Sequence, residues 1–464
     1  MALIKSISGI RGTIGGKAGT GLTPVDILRF TASYASWLKL TRPGNKLKVV
    51  VGRDARISGR MMNDLVVGTL LGIGVDVIDI GMTTTPTAEL AVTDLNADGG
   101  MILTASHNPA QWNALKLLNH KGEFLSREDG EQVLTISESE DFTFADAYHL
   151  GHYSTDESQI KKHIDKILDL PLVDIHAIRE ANFRVVLDAV NSTGGIAIPP
   201  LLDALGVTQV ELLFCEPNGI FPHNPEPLPE NILDICEHVI RTRADLGFVV
   251  DPDVDRLAII NEMGEPFGEE YTLVAVADYI LQHSPGNTVS NLSSTQALEK
   301  VTIQAGGKYY ASSVGEVNVV ELMKAKNAVI GGEGNGGVIY PCLHYGRDAL
   351  AGIALFLTFL AKSGKKCSVL RDKYPSFFIS KNKIEFSPEL DIDHILQQIV
   401  KKYASRQIIS MDGIKIFFDG EWVHMRRSNT EPIIRIYAES DVMAKADTLA
   451  KKIIADFKEI LKDM

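Results

Sequence analysis

Apolar and polar positions follow one order three times along the chain. "LKVVVGRDARISG" (47–59) reads as a β-branched strand running into a polar turn. "RMMNDLVVGTLLGIG" (60–74) carries apolar residues at helical spacing, and "VDVIDIG" (75–81) returns to a strand. "FRVVLDAVNSTGG", "IAIPPLLDALG" and "VTQVELL" repeat that order over 183–213, and "NTVSNLSSTQALEKVTIQAGGKYYAS" (287–312) is a third copy. Strand, polar turn, helix, glycine turn and strand make a βαβ unit, which predicts a mostly parallel sheet covered by helices. The copies lie more than 100 residues apart, so they predict three similar domains rather than a solenoid.

The pattern changes near the C-terminus. "GIKIFFDGEWVHMRRS" and "PIIRIYAES" read as antiparallel strands around a "DG" turn, and "VMAKADTLAKKIIADFKEILKDM" as a closing amphipathic helix. The predicted architecture is α/β with four domains: three αβα sandwiches with mixed, mostly parallel sheets and a smaller α+β domain. Their expected bounds are 1–152, 153–254, 255–368 and 369–464.

Composition narrows the partners. The chain has 464 residues and a net charge of −13, from 46 Lys+Arg against 59 Asp+Glu. That balance argues against nucleic acid, which requires a positive field, but leaves room for a small phosphorylated ligand held by local arginines. The 13-residue run "ALAGIALFLTFLA" is too short to span a bilayer and predicts a buried helix. Four cysteines without CxxC spacing and an N-terminus without an apolar stretch point to reduced thiols in a cytoplasmic protein. The pattern favours neither a monomer nor a homo-oligomer.

Chemistry concentrates in four loops. In "GFVVDPDVDR" an apolar strand delivers Asp251, Asp253 and Asp255 at alternate positions. Crowded carboxylates repel one another unless a cation neutralises them, and hard oxygens suit Mg²⁺ better than Zn²⁺. A solvated acidic turn is the plain alternative, and a phosphatase DxD nucleophile another. A calcium EF-hand loop fits Glu262 at the twelfth position but fails at Arg256, where glycine is required.

"TASHNP" follows the apolar run "GGMILTA". Ser106 there is a turn residue, a hydrolase nucleophile or a phosphate carrier. Adjacent Ser106 and His107 do not easily form the Ser–His hydrogen bond of a triad, and no GxSxG elbow is present. If Ser106 bore a phosphoryl group, Mg²⁺ could bridge it to the aspartates. Lys116 could then act as acid or base, its pKa lowered by the cation.

"GGEGNGG" (331–337) is a tight turn or a loop that brings Glu333 and Asn335 to vicinal hydroxyls. A dinucleotide loop needs a following helix, whereas "VIYPCLHY" is extended. "RRSNTEP" (426–432) offers guanidinium, hydroxyl and amide donors suited to phosphate oxygens, or else is a charged surface turn. Arginines also recur at Arg11, Arg53, Arg56, Arg256 and Arg347, which suggests an anionic ligand.

In this order, "SGIRG", "TASHNP", "DPDVDR", "GGEGNGG" and "RRSNTEP" resemble the α-D-phosphohexomutase family across essentially the whole chain. The resemblance implies four domains and a phosphosugar substrate. It makes Ser106 the catalytic phosphoserine. Asp251, Asp253 and Asp255 become ligands of one Mg²⁺, with the Ser106 phosphate as a further ligand. Lys116 and Arg11 assist proton and phosphoryl transfer, with Arg256 and His107 beside them. Glu333 and Asn335 meet sugar hydroxyls, while Arg426, Ser428, Asn429 and Thr430 grip the phosphate that is not reacting.

The implied reaction interconverts hexose 1-phosphate and 6-phosphate through a hexose 1,6-bisphosphate, which is also the activator. The small C-terminal domain would act as a movable clamp. "GEGNGG" resembles the glucose/mannose branch, and a phosphoglucosamine mutase is the near alternative. A Mg²⁺-dependent sugar phosphatase and a sugar-phosphate-binding regulator are more distant ones. One departure stands out: many relatives carry a histidine at the end of the sugar loop, where this chain has Gly337. His344 is the candidate to reach the sugar in its place.

Overall fold

The computed structural model describes residues 2–6, 9–44, 46–386, 390–428 and 433–462. By compactness the chain forms two units, Met1–Ile280 with Asn335–Arg371, and Leu281–Gly334 with Asp372–Met464.

The first unit holds two sheets. The strands of the first are β1 (Leu3–Ser6), β2 (Gly9–Thr13), β3 (Lys48–Arg53), β4 (Asp76–Met82), β5 (Gly99–Leu103), β6 (Trp112–Leu118) and β7 (Tyr153–Thr155). They lie in the order β1-β2-β6-β5-β3-β4-β7. Pairing is parallel around β3, β4, β5 and β7, and antiparallel where β6 joins β5 and β2. The predicted helix over 60–74 is present as Gly59–Ile73. It ends at Gly74, whose φ of 88° suits a residue without a side chain. Helix Pro24–Thr41 starts on a capping box between Thr23 and Asp26 and packs with it over β3 and β5, burying Phe30, Tyr34, Trp37, Met62 and Val66.

The second sheet runs β11-β10-β8-β9, from β8 (Arg184–Asp188), β9 (Gln209–Leu213), β10 (Leu246–Val250) and β11 (Leu257–Asn261). It is parallel except for the β10–β11 hairpin. That hairpin corrects the domain bound expected at 254. Leu246 pairs with Asn261 and Val250 with Leu257, so this domain's sheet extends to Asn261 and the aspartate turn joins two of its strands. The bound at 152 likewise falls short, because β7 pairs with β4 of the first sheet. The apolar run 349–361 is a buried helix, Ala349–Ser363, capped by Asp348.

In the second unit, β12 (Asn287–Asn291), β13 (Tyr309–Ser312) and β14 (Ala328–Glu333) pair in parallel, in the order β13-β12-β14, while the short β15 (Gly337–Ile339) belongs to the first unit. The C-terminal sheet is antiparallel throughout. It runs β16-β20-β19-β18-β17, from β16 (Phe378–Glu385), β17 (Ile408–Ile409), β18 (Ile414–Phe417), β19 (Trp422–Arg427) and β20 (Ile433–Ser440). One face carries Ile414, Ile416, Val423, Met425, Ile434 and Ile436 against helices Ile392–Lys402 and Met443–Lys462. The α+β reading of the C-terminal segment therefore holds.

Candidate functional site

Buried strands deliver the reacting groups at their ends. β5 is buried at every position and stops just before Thr104. Ser106 then takes a φ of 48°, a left-handed backbone that non-glycine residues rarely adopt. Its amide donates to Thr104 Oγ1 at 2.9 Å, and its hydroxyl donates to Asp251 Oδ2 at 2.6 Å.

Asp251 is the first residue after the fully buried β10. Its Oδ1 accepts the amides of Asp255 and Arg256, both at 3.2 Å, which folds the turn back on itself. Each of Asp251, Asp253 and Asp255 places a carboxylate oxygen within 4.8 Å of the others. Thr85 donates to Asp253 Oδ2 at 2.5 Å, and its backbone amide donates to the Asp253 carbonyl.

This donor set fits a hard divalent cation. All three carboxylates are fully buried, and Asp253 Oδ1 and Asp255 Oδ1 have no hydrogen-bond donor among the described residues. Burial, reinforced by Asp255 and Asp253, pushes the Asp251 carboxyl well above its usual range. An ion among these oxygens would reverse that cost.

Cations surround the turn. Lys116 on β6 and Arg11 on β2 lie on one face of the first sheet, since Arg11 pairs with Ala114. Lys116 Nζ donates to Asp253 at 2.6 Å and lies 3.3 Å from Asp255. Burial alone would lower the ammonium, but Asp253 and Asp255 outweigh it and hold Lys116 above its ordinary value. Arg11 reaches Asn108 Oδ1 at 3.4 Å. Arg256 bonds Glu226 at 3.1 Å, and Arg347 bonds Asp255 at 2.7 Å.

His107 comes within 3.4 Å of Ser106 Oγ, nearer than its adjacency in sequence suggested. Burial first, then Arg256, Arg11 and Arg347, push its pKa well below the usual histidine value.

Two expectations change. Arg56 does not face an anionic ligand: its guanidinium is buried and spent on Asp54 and on the serine loop's own carbonyls. His344 does not stand beside the sugar loop with a free ring. Its Nε2 lies 3.2 Å from Asp348 and its Nδ1 3.2 Å from Glu89, within a buried cluster that His163 completes. Gly337 has its own cause. A Cβ there would sit 2.4 Å from Arg347 Cδ, so the arginine stem fills the space a side chain would need.

Asn335 accepts the Gly337 amide at 3.3 Å, and Gly336 accepts the Leu257 amide, so this loop lies against the residue that follows Arg256. Glu333, Arg426 and Ser428 belong to the second unit. Glu333 closes β14 and accepts from Asn291 at 2.9 Å and from the Gly315 amide at 3.2 Å. Arg426 on β19 pairs with Asp412 at 3.4 Å. Ser428 is buried, its amide donating to Ile433. Asn429 and Thr430 lie outside the described residues.

Sequence reasoning missed Asp54, Thr85, Glu226 and Asp412. Each is a partner of a functional side chain through the fold, and only "GRDAR", with its acid two residues before the arginine, carried a readable signal.

Comparison with known proteins accords with this geometry. Four models of phosphoglucomutase/phosphomannomutase match: α/β/α domain I over residues 3–144, domain II over 161–264, domain III over 268–377 and the C-terminal domain over 391–456. A phosphoglucomutase/phosphomannomutase of Thermococcus kodakarensis is 37% identical over 97% of this chain and 99% of its own. A phosphoglucosamine/phosphogalactosamine mutase of Sulfurisphaera tokodaii is 30% identical over the full length of both. Among solved structures, a phosphoglucomutase/phosphomannomutase family protein of Burkholderia thailandensis shares the fold with a TM-score of 0.83 at 24% identity, over 98% of this chain and 96% of its own. With four domain models in order and relatives matched end to end, this chain belongs to the phosphoglucomutase/phosphomannomutase family, the α-D-phosphohexomutases, and is an isomerase-class phosphotransferase.

Proposed function

We propose that this enzyme interconverts hexose 1-phosphates and hexose 6-phosphates, glucose and mannose phosphates foremost, through a phosphoserine at Ser106 and a hexose 1,6-bisphosphate. The observation that carries the reading is the Ser106 hydroxyl, held 2.6 Å from Asp251 within a buried turn of three carboxylates. Asp251, Asp253 and Asp255 would hold Mg²⁺, which when bound neutralises charge on the phosphoryl oxygens. Arg11, Arg256 and Arg347 add fixed positive charge around the transferred group.

In the forward transfer the Ser106 Oγ–P bond breaks as a sugar hydroxyl oxygen bonds phosphorus. Lys116, charged at the start, gives a proton to the leaving Ser106 oxygen and takes up the proton of the sugar hydroxyl, so Ser106 ends as the free hydroxyl and Lys116 is restored. The bisphosphate then turns and returns its other phosphate to Ser106. Glu333 and Asn335 would meet the sugar hydroxyls, and Arg426 and Ser428 the phosphate that stays.

A second reading is a phosphoglucosamine mutase. It is favoured by the name of the Sulfurisphaera relative and by a probable phosphoglucosamine mutase of Pyrococcus horikoshii, 32% identical over 98% of both chains. The test is to incubate the enzyme with Mg²⁺, a trace of glucose 1,6-bisphosphate, and glucose, mannose or glucosamine 1-phosphate in turn. Formation of the 6-phosphate identifies the sugar, and three inert substrates overturn both readings. Intact mass should show one phosphoryl group on Ser106 that substrate removes. Phosphate release surviving Ser106→Ala would indicate the phosphatase instead.

A further inference from the structure

Arg56 is among the largest fully buried side chains, and it lies outside the carboxylate turn. Its Nε donates to Asp54 Oδ2 at 3.0 Å. Its Nη1 donates to the carbonyls of Pro109 and Trp112, both at 2.8 Å, and its Nη2 to those of Ser106 at 2.5 Å and Asn108 at 2.6 Å. Every donor of the guanidinium fork is thus engaged, most of them on the backbone between Ser106 and Trp112. Asp54 neutralises the charge, so the pair adds little field to the phosphoryl site.

The same aspartate reaches the loop by a second route. Thr104 Oγ1 donates to Asp54 Oδ2 at 2.7 Å and accepts the Ser106 amide at 2.9 Å. Ser106 is therefore gripped at both its amide and its carbonyl while its φ stands at 48°. Behind the guanidinium, the Phe221 ring centre lies 5.0 Å away, and Gly219 packs so closely that a Cβ would meet the Ala55 carbonyl at 2.1 Å. The Phe221 ring thus neighbours the guanidinium, while Gly219 packs against the backbone of Ala55 and Arg56.

We propose that Arg56, with Asp54, is the positioning residue of the serine loop: it binds the four carbonyls of Ser106, Asn108, Pro109 and Trp112 and so aims the Ser106 hydroxyl at Asp251. The functional part of this statement rests on Ser106 being the phosphoryl carrier. Lysine has one nitrogen and cannot span carbonyls on both sides of a planar fork. Arg56→Lys therefore keeps the charge and loses the aim.

The test compares the parent with Arg56→Lys and Arg56→Gln by two measurements and adds guanidinium rescue of Arg56→Ala as a third. Hydrogen exchange of segment 104–112 should quicken roughly tenfold in both variants, with distant peptides unchanged. In steady state with glucose 1-phosphate, kcat should fall about 100-fold, while KM stays within about threefold, because the misplaced atom is the serine oxygen and not a substrate contact. Millimolar guanidinium should restore part of the activity of Arg56→Ala and none to Ser106→Ala.

A folded Arg56→Lys with parent-like kcat overturns the proposal. So does loss of kcat and KM together with a general rise in exchange, which would make Arg56 a residue of overall stability. If the parent takes up no phosphoryl group, the phosphoserine reading fails by itself. Hydrogen exchange then still decides whether Arg56 holds the loop, and unchanged protection in the variants overturns it.

Discussion

At the scale of single residues, Gly337 and Arg347 behave as one feature. The absent histidine at 337 looked in the sequence like a lost function that His344 could replace. The structure instead fills that space with the Arg347 stem and delivers its guanidinium to Asp255. Gly337→Ala should therefore push Arg347 off Asp255. We expect kcat to fall about tenfold, the scale of one weakened charge-assisted contact. Steady-state kinetics check this, and an unchanged kcat would mean that the arginine yields without leaving the carboxylate.

His344 makes a different prediction. Burial would lower its pKa, but Asp348 and Glu89 outweigh that and push it up to about 10. A folded-state pKa above the unfolded value stabilises most fully below about pH 6.5, and the benefit fades as pH climbs through about 10. Breaking this buried group with His344→Gln should cost about 3 kcal/mol at neutral pH. Denaturant titration should show the gap between parent and variant closing by about pH 10.5. These roles were not legible because glycine and histidine each have many uses, and only the neighbour across the fold selects one.

At the scale of elements, strand and helix periodicity could be read directly, since it depends on which side faces a core. β10, β11 and their aspartate turn follow "GFVVDPDVDRLAII" residue by residue. Which strands share a sheet depended on long-range pairing, and that is where the domain bounds at 152 and 254 went astray.

The C-terminal sheet shows the same division. Alternation on β19 placed Val423 and Met425 toward the helices, while Trp422, His424 and Arg426 lie on the other face. That polar face is bound to loops around β12 and β13. Lys415 donates to the Leu292 carbonyl at 2.7 Å, His424 meets Ser293 at 2.9 Å, and Asp412 accepts the Val314 amide at 2.8 Å. Asp412 also pairs with Arg426, while the amide of Gly315, next to Val314, reaches Glu333. Asp412→Ala should release Arg426 and raise KM for the sugar phosphate about tenfold, with kcat changed less. Equal KM values for parent and variant would show that Arg426 is held without its carboxylate.

At the scale of the whole molecule, a net charge of −13 conceals a local reversal. Lys116, Arg11, Arg256 and Arg347 lie close enough to the aspartate turn to influence one another or His107. Composition showed the first and only the fold shows the second, because the four come from different strands and loops. All three carboxylates belong to the first compact unit, which gives metal binding a distinctive thermal signature. An ion that binds the folded state stabilises it by about 2.7 kcal/mol at one hundred times its dissociation constant, and only where its ligands are. Chelation with EDTA followed by Mg²⁺ titration should therefore raise the unfolding transition of the first unit and leave that of the second in place. The tryptophans separate the two: Trp37 and Trp112 lie in the first unit, and the fully buried Trp422 in the second. With Trp37→Phe and Trp112→Phe, emission from Trp422 should melt at the same temperature with or without Mg²⁺, while calorimetry shows the other transition moving upward. A Trp422 midpoint that follows the metal by the same number of degrees would show that the units unfold as one cooperative body, and a first-unit transition indifferent to Mg²⁺ would remove the ion from the aspartate turn.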